Sequence, residues 1–397
     1  MSSCRSQEEV TETARAAGVK SSKGPVQVLK FSDQLNSDDV KLFELPPKIL
    51  STLEAGDTVV LRGDRDDNAV LCTTDTTFEL KLAETSNTML LAPALSDPSQ
   101  PGNDFQKTET GTLLCREVTA CLDTYFEARS CRPQLDKLKR LLRESPYSGP
   151  EHEVMDDDVI TSPQKYMFVH LLDIVQASEE ELLEALKKLH ACNIDGYWRL
   201  LDADYMDQSF QHILTLLEEE GWSVDHVPLL QCAGKLEELQ PKFITEHCLA
   251  CFGFLKNLDP ERVYSLSERQ VCQFYAELLL RPVDRFNYEE FMDCWKQSVP
   301  DGMNTSMDYL RGLALWDLNS MPPAIWHFPA YDLPEDPTAR FNKLFKVRER
   351  WAQEDLEPYI RDLETPTQSL NALLLKFTRT STNHKGQKLY NAKHSIK

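Results

Sequence analysis

The sequence predicts an α+β chain: an N-terminal β-barrel-like domain followed by tandem winged-helix domains. Three observations lead to this. Short, alternating apolar runs fill residues 26 to 118. After Pro133 the apolar spacing lengthens toward about 3.6 residues. From residue 163 onward the order helix, helix, short strand, helix recurs without any exact repetition of residues.

Residues 1–24 mix both charges and contain no aromatic residue, which predicts a disordered arm. Residues 25–144 carry VQVLKF, FELPPKIL, TVVLRG, AVLCTT, TFELKLAE, TMLLAP and TLLCREV, separated by turn signals such as Gly63-Asp64 and Asp66-Asp67-Asn68. In TFELKL, Phe78, Leu80 and Leu82 alternate with Thr77, Glu79 and Lys81, so one face enters a core and the other meets water or a partner. The domain closes with a helix bearing Leu135, Leu138, Leu141 and Leu142. Residues 145–162, rich in proline and carboxylates, predict an acidic linker.

A first winged helix is expected over 163–225. Its helices carry Phe168, Leu171, Leu172 and Val175, then Leu182, Leu183, Leu186 and Leu189, with Ser178 and Glu181 as a capping box. The strand-like GYWRLL and a helix ending at Gly221 complete it. A second is expected over 226–286, where Ser267 and Gln270 again form a capping box. A third spans 287–397 with a basic C-terminus; Asp336-Pro337 opens one of its helices and Asn383 to Gly386 suits a hairpin turn.

The chain has 43 basic and 64 acidic residues, a net charge of -21. Such a surface is not built to coat nucleic acid as a whole. From Thr365 to the end, however, there are six basic residues and no acidic one. Lys376, Arg379, Lys385, Lys388 and Lys393 are therefore the candidate DNA contacts. Contact with about four phosphates gives a slope of log affinity on log salt near -3.6, weak and sequence-independent binding. The alternatives are a solubilising tail or a winged helix that binds only protein.

The longest apolar run, Cys248 to Phe252, is too short to span a membrane. With no secretion or transit signal, the expected compartment is the cytosol or nucleus and the eleven cysteines are expected as thiols. No phosphate loop, G-x-S-x-G elbow or H-E-x-x-H helix occurs, so neither catalysis nor a cofactor is expected. His247-Cys248-x-x-Cys251, with Cys232 and Cys272, is the pattern that would suit zinc; its apolar neighbours favour core packing instead. Asp156 to Asp158 reads as solvated loop rather than metal site, and Arg62-Gly63-Asp64 as a turn. Trp316, Trp326, His327, Phe328 and Tyr331 read as core pins rather than a peptide groove.

Three stretches carry a family resemblance: FELKLAETSNTMLL from Phe78, YFEARSCRPQLDKLKRLL from Tyr125, and LPEDPTARFNKLFKVRERWAQEDLEPYI from Leu333. The chain resembles the sister-chromatid cohesion accessory subunits of the alternative replication factor C clamp loader. The resemblance implies a nuclear, non-catalytic subunit whose β domain is a dimerisation domain, forming a joint barrel with a small subunit and the tail of the large one. It also implies winged helices that face DNA and DNA polymerase epsilon, in a complex that loads the sliding clamp, proliferating cell nuclear antigen (PCNA). The implied partner-facing residues are Phe78, Leu80, Leu82, Met89, Leu90 and Leu91. Tyr197, Trp198 and Arg199, expected to be exposed on a short strand, are the candidate polymerase contact. A general transcription-type winged-helix factor is the competing reading.

Overall fold

The computed structural model describes residues 6–19, 26–33, 35, 37–93, 95, 113–153, 164–258, 261–365, 368–382 and 386–393. It is an α+β protein, with thirteen α-helices and six sheets among those residues. The chain divides into two compact units, one of Met1–Leu61, Arg65–Thr73 and Phe78–Ser130, the other of Arg62–Asp64, Thr74–Thr77 and Cys131–Lys397.

The first unit opens with helix α1 (Gln7–Ala16). This corrects the expected disordered arm over 1–24 at its described residues. The reason is local: Ser6 Oγ accepts from the Glu9 amide and the Glu9 carboxylate accepts from the Ser6 amide, a complete capping box. Strand β1 (Val26–Phe31) follows, then β2 (Phe43–Glu44), α2 (Pro47–Glu54), β3 (Val60–Arg62), β4 (Val70–Cys72), β5 (Thr77–Leu91), β6 (Leu113–Val118) and β7 (Ala120–Ser130). Strands β1 and β6 pair in parallel; the other five form a half-barrel sheet in the order β2-β7-β5-β4-β3. Its edges are the short strands β2 and β3. A small core of Ile49 from α2, Leu71, Phe78 and Ala128 fills one end of the sheet's apolar face.

The second unit repeats one pattern four times. The first repeat comprises α3 (Asp136–Glu144), β8 (Tyr166–Met167), α4 (Phe168–Ile174), α5 (Glu179–Lys188), β9 (Ala191–Ile194) and β10 (Tyr197–Leu200). The second comprises α6 (Ala203–Glu220), β11 (Val227–Pro228), α7 (Leu229–Lys235), α8 (Lys242–Phe252), β12 (Gly253–Leu258) and β13 (Glu261–Leu266). The third comprises α9 (Glu268–Leu280), β14 (Phe286–Asn287), α10 (Tyr288–Ser298), a 3-10 turn, β15 (Ala314–Asp317) and β16 (Ala324–His327). The fourth comprises α11 (Pro337–Val347), β17 (Trp351–Ala352), α12 (Gln353–Ile360), α13 (Leu370–Phe377), β18 (Thr378–Thr382) and β19 (Lys388–Ala392). In every repeat the first strand pairs with the third and the third with the second.

The sequence led us to expect three such units; four are present. Two hairpins, β15–β16 and β18–β19, lie within 287–397. Helix α3, grouped in the sequence with the β domain, packs its Leu138, Leu141 and Leu142 with Tyr166, Leu171 and Leu182 of the first repeat. The residues that follow it, expected as linker, also pack inward at Ser145 and Tyr147; Asp156 to Asp158 lie outside the described residues.

The repeats share cores. A single apolar cluster runs from Tyr147 and Cys192 through Phe210, Leu249 and Phe252 to Phe291 and Trp295. Strand β15 divides its side chains between two cores: Trp316 pairs with Ile325, on the face of this long cluster, whereas Leu315 pairs with Trp326 and enters the core of the fourth repeat.

Candidate partner and nucleic-acid surfaces

The register of the half-barrel decides what it offers. Strand β5 runs antiparallel to β7 with Leu80 opposite Ala128 and Leu82 opposite Phe126, and β7 runs parallel to β2 with Phe126 opposite Phe43. Opposed residues share a face. The face therefore carries Phe78, Leu80 and Ala128 at one end and the row Leu82, Phe126, Phe43 at the other. Phe43 and Phe126 stack with ring centroids 5.3 Å apart. The opposite face is charged, with Glu79 beside Lys81 at 2.8 Å and Glu127 beside Arg129 at 2.6 Å.

Only part of the expected partner strand faces outward. Phe78 is 3% exposed and belongs to the core with Ile49, and Leu80 packs against that core. This corrects their assignment to the partner surface, because α2 covers their end of the face. Leu82 is 60% exposed on the same face, where no helix among the described residues covers it, and Leu90 and Leu91 are also exposed. Met89 is half-buried, just past the irregularity between Glu84 and Met89. Sequence reasoning missed Phe43 and Phe126; their signal was present in FELPPKIL and YFEARS, but only the register aligns them with Leu82.

In the first repeat β10 is the central strand, flanked by β8 and β9. Arg199 is 5% exposed, which corrects its assignment to an exposed contact. Its Nε donates to the Ser145 carbonyl at 3.0 Å, its Nη2 to the Pro146 carbonyl at 2.8 Å, and its Nη1 pairs with Glu153. The guanidinium also lies 5.2 Å from the Tyr147 ring centroid. Trp198 is half-buried against the first repeat's core, not fully exposed. Tyr197, opposite the exposed Met167, remains at the surface in part.

Four of the candidate DNA contacts, Lys376, Arg379, Lys388 and Lys393, lie on or beside the β18–β19 hairpin. Lys376, in the last turn of α13, is exposed with its Nζ 5.1 Å from the Phe377 ring centroid. Arg379 on β18 and Lys388 on β19 are exposed, but the register pairs Arg379 with Asn391 and Thr382 with Lys388. By strand alternation they point to opposite faces of the hairpin. Lys393 is exposed and its Nζ donates to the Leu375 carbonyl at 3.2 Å. Lys385 lies outside the described residues, as does the expected turn at Asn383.

The cysteine cluster is part of the core. Cys232, Cys248, Cys251 and Cys272 are buried in the long apolar cluster. Burial pushes the Cys232 and Cys251 thiols up to about 12 and Cys248 well above its ordinary range. Those shifts favour the protonated thiol, a poor metal ligand. His247 Nε2 lies 3.1 Å from the His190 carbonyl oxygen, and burial, with His190 adding to it, pushes its imidazole down to about 4. Among the described residues no three His, Cys, Asp or Glu side chains are placed to hold a metal ion. In the aromatic cluster, Phe328 packs against Tyr359 at 5.5 Å and Trp326 carries Arg285 over its ring at 4.9 Å.

Comparison with known proteins matches residues 40–360 to the family model described as sister chromatid cohesion protein Dcc1. The sister chromatid cohesion protein of Xenopus tropicalis is 43% identical over 400 residues, covering 99% of both chains. That of Mus musculus is 42% identical, covering 99% of this chain and 98% of its own. The Saccharomyces cerevisiae protein is 25% identical over 370 residues, covering 85% and 93%. Model and full-length relatives agree, and the chain belongs to the sister chromatid cohesion protein Dcc1 family.

Proposed function

We propose that this chain is a non-catalytic accessory subunit of the alternative replication factor C clamp loader and supports sister-chromatid cohesion in the nucleus. The observation that carries the reading is the apolar row Leu82, Phe126 and Phe43, exposed at Leu82 and Phe43 and half-buried at Phe126, on a half-barrel whose edge strands are short. An open apolar sheet of this kind is completed by strands of another chain. The clamp loader's small subunit and the tail of its large subunit are the proposed occupants. The four helix-and-hairpin repeats have the strand order of winged helices. The first, through Tyr197 beside Met167, is proposed to meet DNA polymerase epsilon. The fourth, through Lys376, Arg379, Lys385, Lys388 and Lys393, is proposed to touch DNA phosphates. ATP hydrolysis, and so the energy for loading PCNA, comes from other subunits, since the chain has no phosphate loop.

The test is co-purification of the tagged full chain with the clamp-loader subunits and polymerase epsilon, read by mass spectrometry at moderate salt. Leu82→Asp is expected to lose the clamp-loader subunits while the chain stays folded by circular dichroism. Arg379→Glu with Lys388→Glu is expected to keep the subunits and to flatten the salt dependence of DNA binding, by about 0.9 in slope for each phosphate no longer neutralised. Tight, sequence-selective DNA binding by the isolated chain, with transcription machinery in place of clamp-loader subunits, would overturn the proposal in favour of a transcription-type factor.

A further inference from the structure

The carboxylates of the fourth repeat are almost all engaged. Glu354 pairs with Arg311, Asp355 with Arg348, Glu357 with Arg361 and Asp362 with Arg340, and Glu364 accepts from the Leu370 amide at 3.2 Å. Its cations are not. Arg350, Lys376, Arg379, Lys388 and Lys393 make no ion pair among the described residues, where Glu349 is the one carboxylate of the repeat left without a partner. In a chain whose net charge is -21 this is a local excess of unpaired positive charge.

The register of the fourth sheet sorts these cations by face. Tyr390 on the central strand β19 opposes Trp351 on β17 and Thr380 on β18, and both Trp351 and Tyr390 are buried in the repeat's core. The adjacent row therefore points away from the core. It holds Arg379 opposite Asn391 and, one step before Trp351 in the same register, Arg350. Two strand spacings place these arginines roughly 10 Å apart at their Cα atoms. Both are exposed, and Asn391 between them donates from Nδ2 to Ser381 Oγ at 2.8 Å. Lys388 lies on the core-side face, its Nζ 5.0 Å from the Tyr390 ring centroid. Arg350 precedes the acid-free tail that starts at Thr365, so charge along the sequence does not single it out.

Building on the fourth repeat as the DNA-contacting one, we propose that Arg350 is a further DNA contact, holding backbone phosphate together with Arg379 from the outer face of the β17-β19-β18 sheet. Each guanidinium fork takes a phosphate bidentately, and such contacts position a duplex without reading its sequence. The roughly 10 Å span lies between the widths of the minor and major grooves, about 6 and 12 Å, so the two side chains reach phosphates on both sides of a groove. An acidic peptide fits less well. The face beside the arginines is small or polar, with Ala352, Ser381 and Asn391, and its Leu389 is half-buried, so no large exposed apolar side chain among the described residues offers an anchor.

The test measures binding of the full chain to a fluorescein-labelled duplex of mixed sequence by anisotropy across a salt series, with the fold of each variant checked by circular dichroism. Arg350→Ala and Arg379→Ala are each expected to lower affinity and to flatten the slope of log affinity on log salt by about 0.9, and the double variant by about 1.8. Arg350→Lys is expected to keep the slope, because the charge stays, and to lose affinity, because the fork is gone. Lys296→Ala, which removes an exposed and unpaired cation from α10, is expected to change neither. If Arg379→Ala flattens the slope while Arg350→Ala behaves like Lys296→Ala, the proposal is overturned and the fourth repeat keeps its DNA role. If neither arginine variant moves the slope, that role falls with it.

Discussion

Arg199 shows how a residue read as a surface contact becomes an internal joint. In YWRL it sits where a strand could face a partner, yet β10 is central in its sheet, and the chain around residues 145–153 folds back over it. Two backbone carbonyls and Glu153 satisfy the guanidinium, so Arg199 anchors a segment whose composition looked like linker. The Glu153 carboxyl is pushed up by burial, but hydrogen bonds from Lys165 and Arg199 outweigh this and hold it below its ordinary 4.5. A carboxyl depressed in the folded state contributes stability that is present above its unfolded value and lost as pH falls through the folded value. Arg199→Met should therefore cost about 3 kcal/mol at neutral pH, the low end for breaking a buried pair, because Glu153 is still partly hydrated. The cost should shrink below about pH 4.5, where the pair is failing in the parent protein as well. Urea denaturation at both pH values measures this; a pH-independent difference would show that Glu153 is not what Arg199 serves.

At the scale of elements, capping chemistry was legible and the short strands were not. The Ser178 and Glu181 box, the Asp336 cap and the left-handed Gly221 stop all stand where their sequence signals place them. The same Ser-x-x-Glu signal at Ser6 outweighed the arm's low hydrophobicity. Strands β8, β11, β14 and β17 are each two residues long, too short for any periodicity, and exist because the hairpin beside each one offers a free edge. Gly253 shows what such crowding demands. Its backbone is extended, so the need is for space: a Cβ there would lie 2.7 Å from the Ser265 carbonyl oxygen and 3.1 Å from that of Leu249. Helix α8 passes directly into β12 at this point. Gly253→Ala should cost about 1–3 kcal/mol by forcing backbone apart, measured as a lowered thermal midpoint. An unchanged midpoint would mean that the junction yields freely.

At the scale of the molecule, the shared cores make the repeats interdependent. Phe210 is fully buried, 4.2 Å from Phe252 by ring centroid, in the cluster that joins the first three repeats. Phe210→Ala should cost about 3–5 kcal/mol and lower amide-exchange protection in the second and third repeats together, because these two share this cluster, whereas the first repeat also has a core of its own around Leu138, Leu171 and Leu182. Loss of protection confined to α6 to β13 would instead mean independent domains. This merging also explains why unit boundaries were hard to place in the sequence: side chains such as Leu315 and Trp316 enter different cores from adjacent positions. The sequence by itself determined the α+β class, the β-to-helix order, the main helix starts and the basic end, since periodicity, capping and charge are local properties. Only the tertiary structure decided that there are four repeats, that Phe78 is core while Leu82 stays open, and that Arg199 is buried. Those outcomes depend on register and on which distant segment covers each face, which no local pattern encodes.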